Sequence, residues 1–378
     1  MNYWRLSGFY LFYFATLGAL VPYWSLYLQS LDFSVTEIGQ LTAILMATKI
    51  VAPYVWGWIA DHTGRRIAVV RIASLLAALA FAGVFAGTGY WWLALVMTAF
   101  SFFWNASLPQ LEATTMNHLG SETRHYSRIR LWGSVGFIVT VAGLGPVLDR
   151  YGAGLLPAIL LALFIAIWLS SLAVTEPAAE RHAQGQESLR TVIRQPVVIS
   201  LFGVCFLMQA SHGPYYTFFT IYLENFGYSR TSIGQLWALG VIAEIGVFLL
   251  MPRLQPRFGS RQLLLLAAGL TTLRWLLIAV FPAYPGVIGV AQTLHAASFG
   301  LYHAVSIFLI HRLFTGTHQG RGQALYSSLS FGAGGATGSL VSGYLWKGIG
   351  PEAMFLLAAA ASFTAFVVAY RGIEVDDS

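Results

Sequence analysis

The sequence is short of charge. Of 378 residues, 10% are Asp, Glu, Lys or Arg and 57% are hydrophobic. Soluble globular chains carry roughly 25% charged residues, and so few charges cannot cover a surface that faces water. A soluble enzyme and a disordered interaction protein are thereby excluded, which leaves a polytopic membrane protein. Cysteine is nearly absent: Cys205 stands alone, so an internal disulfide and a thiolate metal cluster are excluded. The chain has no Gly-x-x-x-x-Gly-Lys-Ser/Thr, no Gly-x-Ser-x-Gly and no His-Glu-x-x-His. It therefore lacks the phosphate loop of an ATP-driven pump and the commonest hydrolase motifs. No cofactor is expected, and the driving force has to be an ion gradient.

Long apolar runs are what the chain has instead. They fall at 5–28, 37–59, 67–87, 91–117, 129–149, 153–174, 197–223, 231–252, 261–281, 285–311, 322–346 and 352–371. Each is long enough to cross a bilayer, for which about 20 residues suffice. The first lacks a small-residue cleavage site and reads as a retained helix. An all-α protein of twelve transmembrane helices is expected. The one long hydrophilic stretch, 175–196, divides the chain into an N-terminal bundle, 1–174, and a C-terminal bundle, 197–378.

The net charge of +6 does not point to nucleic acid, because the basic residues are sorted by side. With the N-terminus cytoplasmic, 16 Arg lie at cytoplasmic ends and loops against Arg150, Arg230 and Lys347 outside. Lys49 and Arg274 are left inside spans. This asymmetry places both termini in the cytoplasm of a cell (inner) membrane.

The two halves are related. LYLQSLDFSVTEIGQL (26–41) and IYLENFGYSRTSIGQL (221–236) share eight of 16 positions at an offset of 195, which also lays DHTGRR (61–66) over PRFGSR (256–261). Parallel repeats with a central site are an architecture of rocking transporters.

Gly57, Asp61, Gly64, Arg65 and Arg66 form the pattern G-x-x-x-D-x-x-G-R-R after the second span. Gly57 permits close helix approach and Gly64 a tight turn. Asp61 can cap a neighbouring helix or pair with Arg65 or Arg66 in one conformational state. An ordinary positive-inside turn is the plain alternative. The echo in the second half has Pro256 for Asp61. This motif resembles the signature loop of the major facilitator superfamily. Within it the chain is similar to the lactose permease branch, and most to the phenylpropionate permease group. The resemblance runs through PQLEA (109–113), RIRLWGSVGF (128–137), QASHGPYY (209–216), TTLRW (271–275) and TLHAASFGLYH (293–303). It implies the major facilitator fold and alternating access by a monomer.

Ionisable groups at membrane depth cost roughly 2.5–3.5 kcal/mol each on insertion scales, so they need partners or a function. Five are present, Lys49, Glu112, Arg130, Glu244 and Arg274, with His212, His295 and His303 beside them. The resemblance implies that Glu112 and Arg130 hold substrate, with Phe137 where sugar permeases stack a Trp. It places His212, with Gln209, where the sugar permease has a carboxylate. It implies that Glu244, Arg274 and His295 carry the coupling proton, although Glu244 lies about one turn beyond the family's carboxylate. Ser298 stands where the family has a proton-carrying Glu. His303 lies about 12 Å along an ideal helix from His295 and about 80° around it, so the two cannot ligate one metal. Each histidine has the plain alternative of a hydrogen-bonded core residue, and the Glu112–Arg130 pair that of a structural salt bridge.

Lys49, Arg130 and Arg274 against Glu112 and Glu244 leave one cation over. A carboxylate substrate would neutralise it. Otherwise Lys49 snorkels or reaches Asp61, three turns away. The expected function is therefore proton-coupled symport of a small organic anion such as an aromatic monocarboxylate. A lactose-type sugar symporter, sodium coupling, a transport-like sensor and an intramembrane enzyme are the alternatives. The expected partners are solute, protons and lipid, without nucleic acid.

Overall fold

A bilayer offers no water to the backbone, so each span has to close its hydrogen bonds within a helix. The computed structural model of the chain describes residues 3–119, 125–176, 189–315 and 318–373, and among these no strand occurs. The first six spans are α1 (Tyr3–Ser30), α2 (Val35–Thr63), α3 (Arg66–Ala82), α4 (Tyr90–Leu119), α5 (Tyr126–Tyr151) and α6 (Leu156–Leu172). A short helix, α7 (Leu189–Ile193), precedes the seventh span, which is made of α8 (Pro196–Ser211) and α9 (Gly213–Asn225). The eighth and ninth lie in α10 (Arg230–Val280). The tenth joins α11 (Pro285–Thr293) to α12 (Tyr302–Leu313) through a π-helical stretch, Ala296–Leu301. The eleventh joins α13 (Gln319–Ser327) to α14 (Gly335–Ile349) through another, Ser328–Gly334. The last is α15 (Pro351–Gly372). Twelve spans result.

The chain forms two compact units, Met1–Arg181 with Tyr228–Ala238, and His182–Gly227 with Leu239–Ser378. Residues 177–188 of the expected 175–196 linker, Arg181 among them, lie outside the described residues, as does Arg124.

The sequence repeat returns as repeated geometry. Asp32 (φ 62°) and Gly227 (φ 82°) are both left-handed, as are Gly64 (φ 66°) and Gly259 (φ 70°). Each pair is separated by the same 195 residues as the repeat. Ser34 accepts the Glu37 N–H and Ser229 the Ser232 N–H, so the second and eighth spans start with the same cap.

Three local features depart from simple spans. The seventh breaks at His212, because Pro214 has no N–H to give Ala210. The eighth runs on through the predicted loop and turns only at Gly259, φ 70° and ψ 164°. The tenth and eleventh are under-wound by their π turns, which apolar periodicity does not reveal.

Small residues set the closest helix contacts, as bilayer packing favours. In the first unit α1 and α5 meet backbone to backbone: a Cβ on Gly136 would lie 2.1 Å from the Leu11 carbonyl oxygen, and one on Gly18 2.7 Å from that of Phe137. Gly8 has nothing within 4 Å of a Cβ. Gly136→Ala should therefore cost about 1–3 kcal/mol of stability through overpacking. In detergent, its melting temperature is expected to fall while Gly8→Ala melts like the unaltered protein. Equal melting of the two variants would count against this seam.

Candidate functional site

The first unit carries the superfamily-like loop. Gly64 ends α2 in the left-handed conformation and gives its N–H to the Ala60 carbonyl. Asp61 pairs with Arg66 at 2.5 Å, and Arg66 also donates to Gln110 on α4 at 2.9 Å. Gly57 lies against the same Gln110, and Arg65 sits exposed at the start of α3. Glu176, beyond α6, accepts the Ile67 N–H at 2.9 Å, where a carboxylate suits a helix N-terminus. Arg71 answers from α3 by donating to the Leu172 and Val174 carbonyls at the end of α6.

Deeper in this unit, Arg130 and Glu112 face each other loosely. Nε to Oε1 is 3.9 Å, beyond hydrogen-bond reach, and each side chain is 32% exposed. The guanidinium lies on the Phe14 ring, 3.8 Å from its centroid, with Tyr10 at 5.8 Å. Gly133 makes room for it, since a Cβ there would meet Nη1 at 2.8 Å. Tyr126 donates to Glu112 at 3.4 Å. Among the described residues Arg130 makes no hydrogen bond, and Lys49 makes neither a hydrogen bond nor an ion pair. Thr48 beside Lys49 is bonded to Ser101 and Asn105. Phe137 is half-buried, its backbone against Gly18.

The second unit holds the opposite arrangement. Arg274 is fully buried, 0% exposed, and its donors are used: Nε to the Ala291 carbonyl at 3.1 Å, Nη1 to Ser298 Oγ at 2.8 Å and His295 Nδ1 at 3.1 Å, and Nη2 to Gln292 Oε1 at 3.3 Å. Tyr215 and Trp275 lie on its flat faces, 4.2 and 4.5 Å away. A guanidinium only donates, so His295 Nδ1 must accept and its proton sits on Nε2. That nitrogen is 3.5 Å from Glu244 Oε2. His212 is ordered from the other side: Nδ1 faces the Met208 carbonyl at 2.7 Å, and Nε2 is 3.4 Å from Ser298 Oγ.

Arg274, His295 and Glu244 are thus brought together. His212 joins them through Ser298. Gln209 is buried near Gly334, and its Nε2 has no hydrogen-bond partner among the described residues. His303 stands apart, with Phe299 between it and His295 in one stack, centroids 5.5 and 5.7 Å apart. The π turn between them narrows the 80° of an ideal helix, since it bonds i to i+5. His303 Nδ1 is 2.7 Å from the Tyr326 hydroxyl. Phe14, Tyr126, Gln292 and Tyr215 were not singled out from sequence; an aromatic or amide inside an apolar run carries no signal of its own.

The MFS_1 like family matches residues 3–357. A protein described as a "Probable 3-phenylpropionic acid transporter", from Escherichia coli (strain K12), is 29% identical over 95% of this chain and 94% of its own. A maltose permease of Geobacillus stearothermophilus is 29% identical over 89% and 86%. A solved structure of the nucleoside transporter NupG superposes with a TM-score of 0.86 at 18% identity, over 99% of this chain and 100% of that one, a likeness of fold.

The Arg274 centre makes a stability prediction. Ser298→Ala leaves a buried charged N–H without its 2.8 Å acceptor, a loss of about 1–3 kcal/mol. A lowered melting temperature in detergent is expected. Unchanged melting would show that Ser298 does not hold the arginine.

Proposed function

Since the chain belongs to the MFS_1 like family, we propose that it carries a small organic anion of the aromatic monocarboxylate class together with a proton, by alternating access. The observation that carries this reading is Lys49, an intramembrane cation with no acceptor among the described residues. An unanswered charge at membrane depth is costly, and a carboxylate would answer it. The relative described as a 3-phenylpropionic acid transporter supports the same substrate class.

In this reading Lys49, Glu112, Arg130, Phe137 and Gln209 serve the substrate. Glu244, Arg274 and His295 hold the coupling proton, with His212 tied to them through Ser298 and His303 as a further station. Gly57, Asp61, Gly64, Arg65 and Arg66 act as a conformational latch. The functional halves are 1–174 and 197–378, joined by a cytoplasmic linker at 175–196, with both termini cytoplasmic. The carrier works as a monomer without a cofactor. Arg274 keeps a proton off His295 Nδ1, so a proton taken up by this cluster goes to the Glu244 carboxylate, which faces the N–H of His295 Nε2.

Two experiments test the assignment. Lys49→Ala should weaken binding of 3-phenylpropionate at least tenfold more than binding of a neutral analogue such as its amide. Equal losses, or robust transport of a neutral disaccharide by the unaltered protein, would return the reading to a sugar permease. Glu244→Gln should abolish accumulation in proteoliposomes while sparing exchange of internal for external solute, because exchange need not release the proton. Undiminished accumulation in that variant would place the proton elsewhere.

A further inference from the structure

The two membrane arginines differ in a way that the substrate reading does not use. Arg274 has acceptors on Nε, Nη1 and Nη2 and is closed to solvent. Arg130 is a third open, rests one face on Phe14, and among the described residues stands 3.9 Å from its one carboxylate, Glu112. A planar fork with free N–H edges beside an aromatic ring is suited to a carboxylate taken bidentately. Glu112 has an equally thin hold: one bond of 3.4 Å from Tyr126 and the distant Arg130.

We propose that Glu112 is a proton-binding site linked to substrate occupancy: the arriving carboxylate takes the Arg130 fork, and Glu112, losing its cation, takes a proton. The inference rests on the organic-anion reading above. Two carboxylates beside one guanidinium repel each other, and a proton on one of them relieves the repulsion. Among the described residues the titratable groups that interact with Glu112 are Arg130 and Tyr126 on α5 and Tyr10 and Tyr13 on α1, so Arg130 is the one cation among them. Arg66 of α3 is engaged by Asp61 and Gln110 instead. The proton comes from solvent and stays as the carboxyl O–H, which Tyr126 Oη is placed to accept. No other bond forms or breaks. Anion and proton enter together, so the charge of this half-site is the same before and after binding, and Lys49 acts on the anion through its field rather than by pairing with it; substrate leaves as Glu112 returns its proton and recovers Arg130.

Calorimetric titration of the purified chain with 3-phenylpropionate, in buffers of different ionisation enthalpy, tests this. The unaltered protein is expected to take up about one proton per ligand bound, and its affinity to fall about tenfold per pH unit once Glu112 is ionised beforehand. Glu112→Gln should bind with no proton uptake and a flat pH profile. Infrared difference spectra give a second measure: ligand binding should raise a protonated-carboxyl band that Glu112→Asp shifts, which serves if the Gln variant does not fold. Binding without proton uptake overturns the inference alone. So does uptake that persists in Glu112→Gln and vanishes in Glu244→Gln. Failure of the unaltered protein to bind any aromatic monocarboxylate overturns the substrate reading, and this inference with it.

Discussion

A charge inside a bilayer has to be answered, and the polar interior of this protein is organised by that demand. Insertion costs roughly 2.5–3.5 kcal/mol per ionised side chain. A hydrogen bond to a charged group returns about 1.5–3 kcal/mol. Four bonds and two aromatic faces, drawn from the described residues, therefore suffice to offset the cost of Arg274. Arg130 and Lys49 have no such set among the described residues. A saturated arginine orders its neighbours, whereas an unsaturated cation is ready for a ligand. The same residue type thus stands in two environments, one saturated and closed, the other loosely held and a third open.

Close approach to these charges is permitted by glycine. A Cβ on Gly300 would come within 3.0 Å of Glu244 Cγ, and one on Gly240 within 3.3 Å of His295 Cβ. Gly133 does the same for Arg130. Glu244 and His295 lie where a neighbouring element has given up a side chain, and Arg130 where its own helix has, so bilayer packing and the positioning of these groups draw on the same residue type.

Much of this was legible in the sequence. The 195-residue offset between YSRTSIGQL and FSVTEIGQL already held the shared caps and the paired left-handed residues, since Asp32 over Gly227 and Gly64 over Gly259 are read directly from the alignment of the halves. Arg274, His295 and Glu244 were each conspicuous as polar groups in apolar runs, and the resemblance to the lactose permease branch made them a group. The company of His212 was not. Its place in the Arg274 cluster depends on Ser298, a small residue that looks like filler in a transmembrane run. Phe14 and Tyr126 were hidden for the same reason: the chain has 26 Phe and 18 Tyr, and hydropathy does not say which of them meets a guanidinium. Nor does a helical wheel place His303, because the π turn changes the angular step on which the wheel depends.

The irregular backbone and the polar cluster of the second unit stand together for a physical reason. In an unbroken α-helix the Met208 carbonyl would accept the His212 N–H. Here that N–H goes to Gln209 instead, at 3.1 Å, and the freed Met208 carbonyl takes the His212 ring nitrogen at 2.7 Å. The break at His212 thus leaves the Met208 carbonyl to side chains, the Ser211 hydroxyl and the His212 ring, and because a carbonyl only accepts, the His212 proton sits on Nδ1. In the tenth span the π stretch Ala296–Leu301 begins directly after His295 and contains Ser298, so two partners of Arg274 sit at a turn whose bonding is already displaced from i+4. Backbone groups at such places are less committed than those of a regular helix, and their bonds can be exchanged rather than broken. Regular helix elsewhere closes its own backbone bonds, and the interrupted turns at His212 and Ser298 are where polar side chains take up what the backbone leaves.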